Sequence, residues 1–239
     1  MNLIVDIGNS RTKAFLLHNE VLIREAVFIS DSIVNLRKFV QQDKVDKALI
    51  SSSGDIPEDL QDYLTTSFPT VFFNYLTKVP IVNHYHTPQT LGMDRLAAVV
   101  GAFELYPGEA SLVIDAGTCV TYDAIDQNAN YYGGNISPGV KMRCKAMHQF
   151  TARLPEIEPV DFSFDVGFDT VSSLLTGVVL GISYEIDGFI RQYERKYGGL
   201  NVILTGGDAD LIARHLKGVF KINNRISLLG LNKILSYNV

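Results

Sequence analysis

Residues 5–13 read VDIGNSRTK and residues 114–123 read IDAGTCVTYD. In each, an apolar run ends in Asp-x-Gly, small polar residues make a turn, and a second strand-like run leaves. The likeness is one of position and turn chemistry rather than of residue identity, and it marks a two-copy internal repeat. Around the first copy lie strand-like runs at 2–6, 12–17 and 20–28. They are followed by an amphipathic segment near 31–42 with Ile33, Leu36 and Phe39 on one face, and by a buried run at 46–51. Around the second, 111–125 reads strand–turn–strand, 131–139 is a glycine-rich strand and turn, a helix follows at about 139–149, and 200–209 is a strand running into Gly-Gly. The pattern predicts an α/β protein built as two similar halves facing a cleft. Pro107 and Gly108 mark the break, giving halves 1–107 and 108–239.

Between and after these units, the spacing predicts a helix at 57–66, with Asp55 able to cap it and Pro57, Glu58 and Asp59 suited to its first turn. A strand at 71–75 and a strong helix at 92–108 come next. The stretch 168–197 reads as one long helix or two, with Gly177, Gly181 and Gly188 as close-packing points. A short helix, a strand near 219–222 and a last helix near 228–236 complete the chain.

Composition narrows the function classes. With 239 residues, 46% hydrophobic and 20% charged, the chain can bury a core without disulfide or metal staples, and fibrous and disordered classes are excluded. A net charge of −5 argues against general polyanion binding, though not against a local anion site. The start MNLIVDIGNS lacks a basic leader and reads as a first strand. The longest apolar stretch, 174–182, is interrupted by Thr176, Gly177 and Gly181, so no spanning run is expected. Cys119 and Cys144 read as reduced thiols of a cytoplasmic protein.

The motifs carry anion chemistry. In Asp6-Ile7-Gly8-Asn9-Ser10, followed by Lys13, glycine lets the backbone approach an anion, successive N–H groups make a concavity, and Lys13 supplies a mobile cation. Asp6 cannot bind phosphate directly, but a carboxylate there suits Mg²⁺ or its water. A hairpin turn would use the same residue types, and the second copy, Asp115-Ala116-Gly117-Thr118, is what favours a phosphate cradle. TGGDAD at 205–210 places Gly206 and Gly207 where a nucleotide could lie against backbone, or is a strand-to-helix turn capped by Asp208. GGNISPG at 133–139 is flexible backbone beside a site, or a turn. The basic run Lys141, Arg143, Lys145 behind it is a solvated face, or leans over an anion. Gly92-Met93-Asp94-Arg95 opens a helix, where Asp94 and Arg95 form either a dipole-compensating pair or a base beside an anion-reading fork. His84 and His86 lack a third metal ligand. Neither GxxxxGK[ST] nor GxGxxG occurs, so P-loop and Rossmann binding are unsupported.

Together, DIGNSxxK, DAGTxxTYD and TGGDA resemble the acetate and sugar kinase/heat-shock ATPase/actin superfamily. Within it, GMDR at 92–95, GGNISPG at 133–139 and TARLP at 151–155 resemble the type III pantothenate kinases. The resemblance implies duplicated ribonuclease-H-like, actin-like ATPase domains. It also implies ATP-dependent phosphorylation of pantothenate to 4′-phosphopantothenate, the first committed step toward coenzyme A. By position, Asp6 would sit near Mg²⁺, Gly8, Asn9, Ser10 and Lys13 would bind the ATP phosphates, Thr118 would contact ATP, and the Gly206 and Gly207 backbone would meet the adenine. Tyr85, Gly92, Met93, Asp94 and Arg95 would hold pantothenate, with Asp94 as general base for its primary hydroxyl. Asp115 would bind a monovalent cation, potassium or ammonium, and Thr170 would reach pantothenate from the neighbouring subunit of a homodimer. Ser10 stands where the family has threonine, and GFDT at 167–170 replaces a more polar segment. The competing readings are a sugar-type kinase of the same superfamily and an ATP-binding regulator without catalysis.

Overall fold

A computed structural model describes the chain apart from residues 9, 10, 29–32, 42 and 53. Two compact units emerge: Met1–Glu104 joined by Ile226–Val239, and Leu105–Arg225. The final helix therefore belongs with the first unit, not with the second half to which its sequence position assigned it. The break in the chain falls at Leu105, just before the Pro107–Gly108 pair.

The first unit begins with β1 (Asn2–Ile7), β2 (Thr12–His18) and β3 (Val21–Phe28), then α1 (Ile33–Val40), β4 (Lys47–Ser52), α2 (Glu58–Ser67) and β5 (Thr70–Phe72). After a two-residue strand β6 (Val82–Asn83) and a 3₁₀ turn at Pro88–Thr90 comes α3 (Met93–Leu105). The sheet order is β3-β2-β1-β4-β5, antiparallel at β1–β2 and β2–β3 and parallel at β1–β4 and β4–β5. The second unit repeats this. It contains β7 (Ser111–Ala116), β8 (Cys119–Ile125), β9 (Asn130–Pro138), α4 (Val140–Gln149), α5 (Thr170–Tyr197), β10 (Asn201–Thr205), α6 (Ala209–Ala213) and β11 (Lys221–Ile222). Its strands run β9-β8-β7-β10-β11, the same order with the same senses of pairing. The chain closes with α7 (Ile226–Asn238).

The apolar runs of β1 and β7 follow from burial on both faces. On β1, Leu3, Val5 and Ile7 join Leu36, Phe39, Leu60 and Leu64 of α1 and α2 in one core. Strand alternation turns Asn2, Ile4 and Asp6 to the other face. There the Asn2 amide donates to Asn232 Oδ1 of α7 at 2.7 Å. On β7, Leu112, Ile114 and Ala116 pack with α5, which leaves Asp115 on the opposite face. In both units the acid that ends the first strand thus points away from the helix-covered core that its apolar neighbours build.

Several local expectations change. The segment 168–197 is one helix, α5, begun by Asp169 in a capping box with Ser172. By length and composition α5 could cross a membrane, but 56% of its most apolar window is buried, as expected of a core helix. Its glycines are not packing points: a Cβ at Gly177, Gly181 or Gly188 would meet nothing within 4 Å. Close helix packing lies instead in the first unit, where a Cβ at Gly101 would fall 2.0 Å from the Ile226 carbonyl oxygen and one at Gly230 1.8 Å from that of Ala97. Small residues on α3 and α7 let those backbones touch. Pro57, not Asp55, occupies the N-cap of α2, without a side-chain cap bond.

Candidate functional site

In the first unit the candidate residues collect at the end of β1 and the start of α3. Asp6 is half-buried and pairs across the hairpin with exposed Lys13, while its parallel neighbour on β4 is Ser51. Burial pushes the Asp6 carboxyl above the usual carboxylate range. The Lys13 charge opposes this, the Asp94 charge adds to it, and a hydrogen bond with Ser51 opposes it again. The Asp94 contribution places the two carboxylates within electrostatic reach of each other. Asp94 itself is exposed, in the first turn of α3, and its Oδ1 accepts the Arg95 backbone N–H at 2.8 Å. That bond fixes the carboxylate's orientation at a helix N-terminus, where negative charge is favoured. Gly92 is required by the same geometry, since a Cβ there would lie 2.5 Å from Asp94 Oδ1. Arg95 is 7% exposed, and its guanidinium sits 5.7 Å from the centre of the Tyr85 ring. Met93 opens the helix beside them. Gly8 turns the hairpin, its N–H donating to the Arg11 carbonyl at 3.0 Å. Asn9 and Ser10, expected to bind phosphates, lie outside the described residues.

In the second unit a pocket of about 660 Å³ is lined by Gly117 and Thr118 of the β7–β8 turn, Gly207 and Asp208 after β10, and Lys141, Lys145, Gln149 and Phe150 of α4 and its end. This brings Thr118 and Gly207 together. Gly206 sits just behind them, at φ +99°. A Cβ on Gly206 would meet the Ala116 carbonyl oxygen at 2.4 Å and Asp115 Oδ1 at 2.5 Å. Two oxygens therefore converge on the space that glycine leaves open. The Asp208 N–H donates to that same Ala116 oxygen at 2.9 Å, while the Asp208 side chain makes no cap hydrogen bond. Burial raises the Asp208 carboxyl, against the pull of the Lys141 charge. Thr170 stands apart from this pocket. It lines a separate, more open one of about 560 Å³ with Met147, Phe168 and Leu174.

The comparisons with known proteins decide the family. The type III pantothenate kinase family matches residues 2–192. The chain belongs to the type III pantothenate kinases. It is 42% identical over 239 residues to the type III pantothenate kinase of Bacteroides fragilis, covering 100% of this chain and 98% of that relative. It is 39% identical over 242 residues to that of Christiangramia forsetii, covering 100% and 99%. Among solved structures, a glucokinase from an Antarctic psychrotroph superposes with a TM-score of 0.55 at 12% identity, covering 99% of this chain and 98% of that one. Component A of the (R)-2-hydroxyglutaryl-CoA dehydratase of Acidaminococcus fermentans gives 0.55 at 13%, covering 99% and 96%. At such identities these two carry the fold alone: the actin-like, sugar-kinase architecture of duplicated ribonuclease-H-like domains.

Within this pantothenate kinase, sequence reading missed residues that no motif advertises. Ser51 is an ordinary strand serine until β4 is placed beside β1. Asp208 reads as a helix cap, and only its missing cap bond and the pocket wall give it another place. The Lys141 and Lys145 alternatives resolve toward the pocket, at i and i+4 on one face of α4. Among the described residues no cluster of three or more His, Cys, Asp or Glu could hold a metal by itself.

Proposed function

We propose that Asp94 is the general base of this pantothenate kinase, that Asp6 and Lys13 serve the phosphates, and that the pocket beside Thr118 and Gly207 takes the nucleotide. The overall reaction is the ATP-dependent phosphorylation of pantothenate to 4′-phosphopantothenate, which opens coenzyme A synthesis. The observation that carries the site reading is the pairing of an exposed, backbone-oriented Asp94 with a half-buried Asp6 close enough for their charges to interact.

Phosphoryl transfer asks the protein mainly for positioning and charge stabilisation. Asp94 accepts the proton of the primary hydroxyl as its oxygen attacks the γ-phosphorus, held in place by the Arg95 N–H and given room by Gly92. Tyr85 and Arg95 form a cation–aromatic wall that orients pantothenate, with the guanidinium directed to its carboxylate or another polar end. Lys13 steadies negative charge on the transferring group. Gly8 lets the turn come close to the phosphates, and Asn9 and Ser10 supply donors to them.

The Asp6 carboxylate with that of Asp94 nearby fits Mg²⁺, which protein sites of this kind bind through one or two carboxylates plus substrate phosphates. When bound it would neutralise phosphate charge beside Asp6. In the second unit, Asp115 Oδ1 and the Ala116 carbonyl oxygen fit a monovalent cation, potassium or ammonium, by the same oxygen preference. The enzyme works in the cytoplasm as a homodimer. There Thr170 meets the partner's pantothenate, and exposed Val171 and Tyr184 of α5 contribute to the interface. Two free cysteines agree with a reducing compartment.

A coupled assay with pantothenate, a sugar panel and no acceptor, with and without potassium, tests the whole reading. Turnover on pantothenate that depends on potassium is expected. Turnover only on a sugar, or ATP hydrolysis indifferent to acceptor, would overturn it. Sedimentation of the enzyme as a monomer would remove the dimer and the role of Thr170.

A further inference from the structure

Helix α4 supplies a whole wall of the nucleotide pocket, yet little apolar surface holds it. Lys141, Lys145 and Gln149 form one stripe of that wall and Met142, Ala146 and Phe150 the next. On the remaining faces Val140 and Cys144 are buried, and Met147 packs half-buried against the same core. At its start, Gly139 is pressed against the β7–β8 turn, its N–H donating to the Thr118 carbonyl at 3.1 Å. A Cβ there would lie 2.2 Å from the Gly117 carbonyl oxygen. At its end the His148 Nδ1 meets the Leu154 carbonyl oxygen at 2.8 Å, and one turn from its start a charged anchor acts. Arg143 donates through Nε to the Pro138 carbonyl at 2.8 Å and through a terminal nitrogen to Glu185 Oε2 at 2.6 Å.

Glu185, on α5, is held from every side. Its other oxygen accepts the Tyr122 hydroxyl at 2.7 Å and the Ser137 hydroxyl. Tyr122 is fully buried, with its ring 4.2 Å from that of Phe189. Burial pushes the Glu185 carboxyl up, but the bonds from Ser137, Arg143 and Tyr122 together hold it below the usual glutamate range. The carboxylate is thus a fixed, ionised post joining β8, β9 and α5, and Arg143 ties α4 to it.

We infer that Glu185 and Arg143 are positioning residues for ATP: they fix α4 at the distance from the Gly117–Thr118 turn that the nucleotide requires. The inference rests on reading that pocket as the nucleotide site. Neither side chain lines the pocket, so the pair acts through the helix. A charge-assisted hydrogen bond is stronger than a neutral one but weakens where water reaches it. With both side chains about a quarter exposed, at 27% for Glu185 and 22% for Arg143, the expected loss of ATP affinity is about five- to tenfold.

The test is equilibrium titration with a non-hydrolysable ATP analogue, together with KM for ATP, KM for pantothenate and kcat. Glu185→Gln should weaken analogue binding and raise KM for ATP by that factor, with pantothenate KM and kcat within about twofold. Arg143→Lys should fall between it and the wild type, and Glu185→Gln with Arg143→Gln should be no worse than the poorer single variant. Ala146→Phe, which fills the pocket, is the reference. If it abolishes analogue binding while Glu185→Gln leaves affinity within twofold, the positioning role is wrong and the pocket stands. If Ala146→Phe leaves binding intact, the pocket reading fails and the inference with it. A uniform change in both KM values and kcat also overturns the inference. Should Glu185→Gln not fold, Arg143→Gln answers the same question, because the Tyr122 and Ser137 bonds to Glu185 remain in place.

Discussion

Adjacent glycines after β10 separate what the fold needs from what the ligand needs. Gly206 has φ +99°, whereas no left-handed angle occurs at Gly207 and a Cβ there would meet nothing within 4 Å. Alanine at 206 meets two costs. The backbone conformation is one that L side chains rarely adopt, at about 1–3 kcal/mol. The new methyl would also lie 2.4 Å from the Ala116 oxygen and 2.5 Å from Asp115 Oδ1. Real contacts need about 1 Å more, so the turn and the end of β7 must part, at about 1–3 kcal/mol more for overpacking. The sum, about 2–6 kcal/mol, is a large share of an ordinary domain's stability of about 5–15 kcal/mol. It corresponds to a fall in Tm of about 4–24 °C. Gly207→Ala should shift Tm by no more than about 2 °C, the range of a neutral surface change. Because Gly207 lines the pocket, its methyl should instead raise KM for ATP about threefold or more, as an obstacle to close backbone approach. Thermal unfolding by circular dichroism and steady-state kinetics on both variants decide the matter. Equal Tm values for the two, or a Gly206→Ala protein as stable as the wild type, would refute the reasoning.

Three further outcomes are expected. Asp94→Asn should lower kcat by about 10²–10⁴-fold, the range of a lost general base, while ATP analogue binding persists; unchanged turnover removes Asp94 from that role. For Asp6 the folded pKa lies above the unfolded value of about 3.9, so its favourable contribution is full below that pH and lost as pH rises through the folded pKa. The charged carboxylate therefore costs stability at neutral pH. Asp6→Asn should raise the urea midpoint at pH 8 but not at pH 4 while abolishing activity, and a lower midpoint at pH 8 would contradict the assignment. Cys144 is 2% exposed and burial pushes its thiol up, whereas Cys119 is half-exposed, so iodoacetamide at neutral pH should modify Cys119 and reach Cys144 only on unfolding, as read by peptide mass.

The fold was legible because its signals are local. Asp-x-Gly after an apolar strand states where β1 and β7 end, and alternation then places Asp6 and Asp115 on one face each. What escaped depends on pairing across long sequence distances. That α7 packs against β1 and β4 is invisible in an apolar helix at the end of a chain. Its tell-tales, Gly230 against Ala97 and Asn232 against Asn2, are single residues in α7 with partners more than a hundred positions away. Glycines in α5 looked like packing points because small residues at helical spacing usually are, but spacing does not say which face meets a neighbour. Of the candidate site, the acids and glycines were readable from turn chemistry. Ser51, Asp208 and the Glu185–Arg143 tie were not, since each acquires meaning only from a strand or helix beside it.

The duplication also suits one scaffold to the two roles proposed for its acids. At matching positions of the repeat, Asp6 faces Lys13 across the hairpin and Ser51 on the parallel strand, while Asp115 faces Thr121 and Thr205. Directly opposite residues share a face of the sheet, so these are true neighbours. The first copy therefore sets a cation beside its acid, which suits a site where phosphate charge has to be met. The second surrounds its acid with hydroxyls and the Ala116 carbonyl, which suits a site that accepts a cation. Exchanging the character of one position tests that division. Lys13→Thr makes the first copy resemble the second, and should cost phosphate affinity without disturbing the fold, because the Lys13 side chain is exposed near the turn. Thr121→Lys places an ammonium opposite Asp115, and should remove the proposed dependence of activity on potassium by supplying the charge internally. A Thr121→Lys enzyme with wild-type potassium dependence would mean that the second acid does not hold the ion.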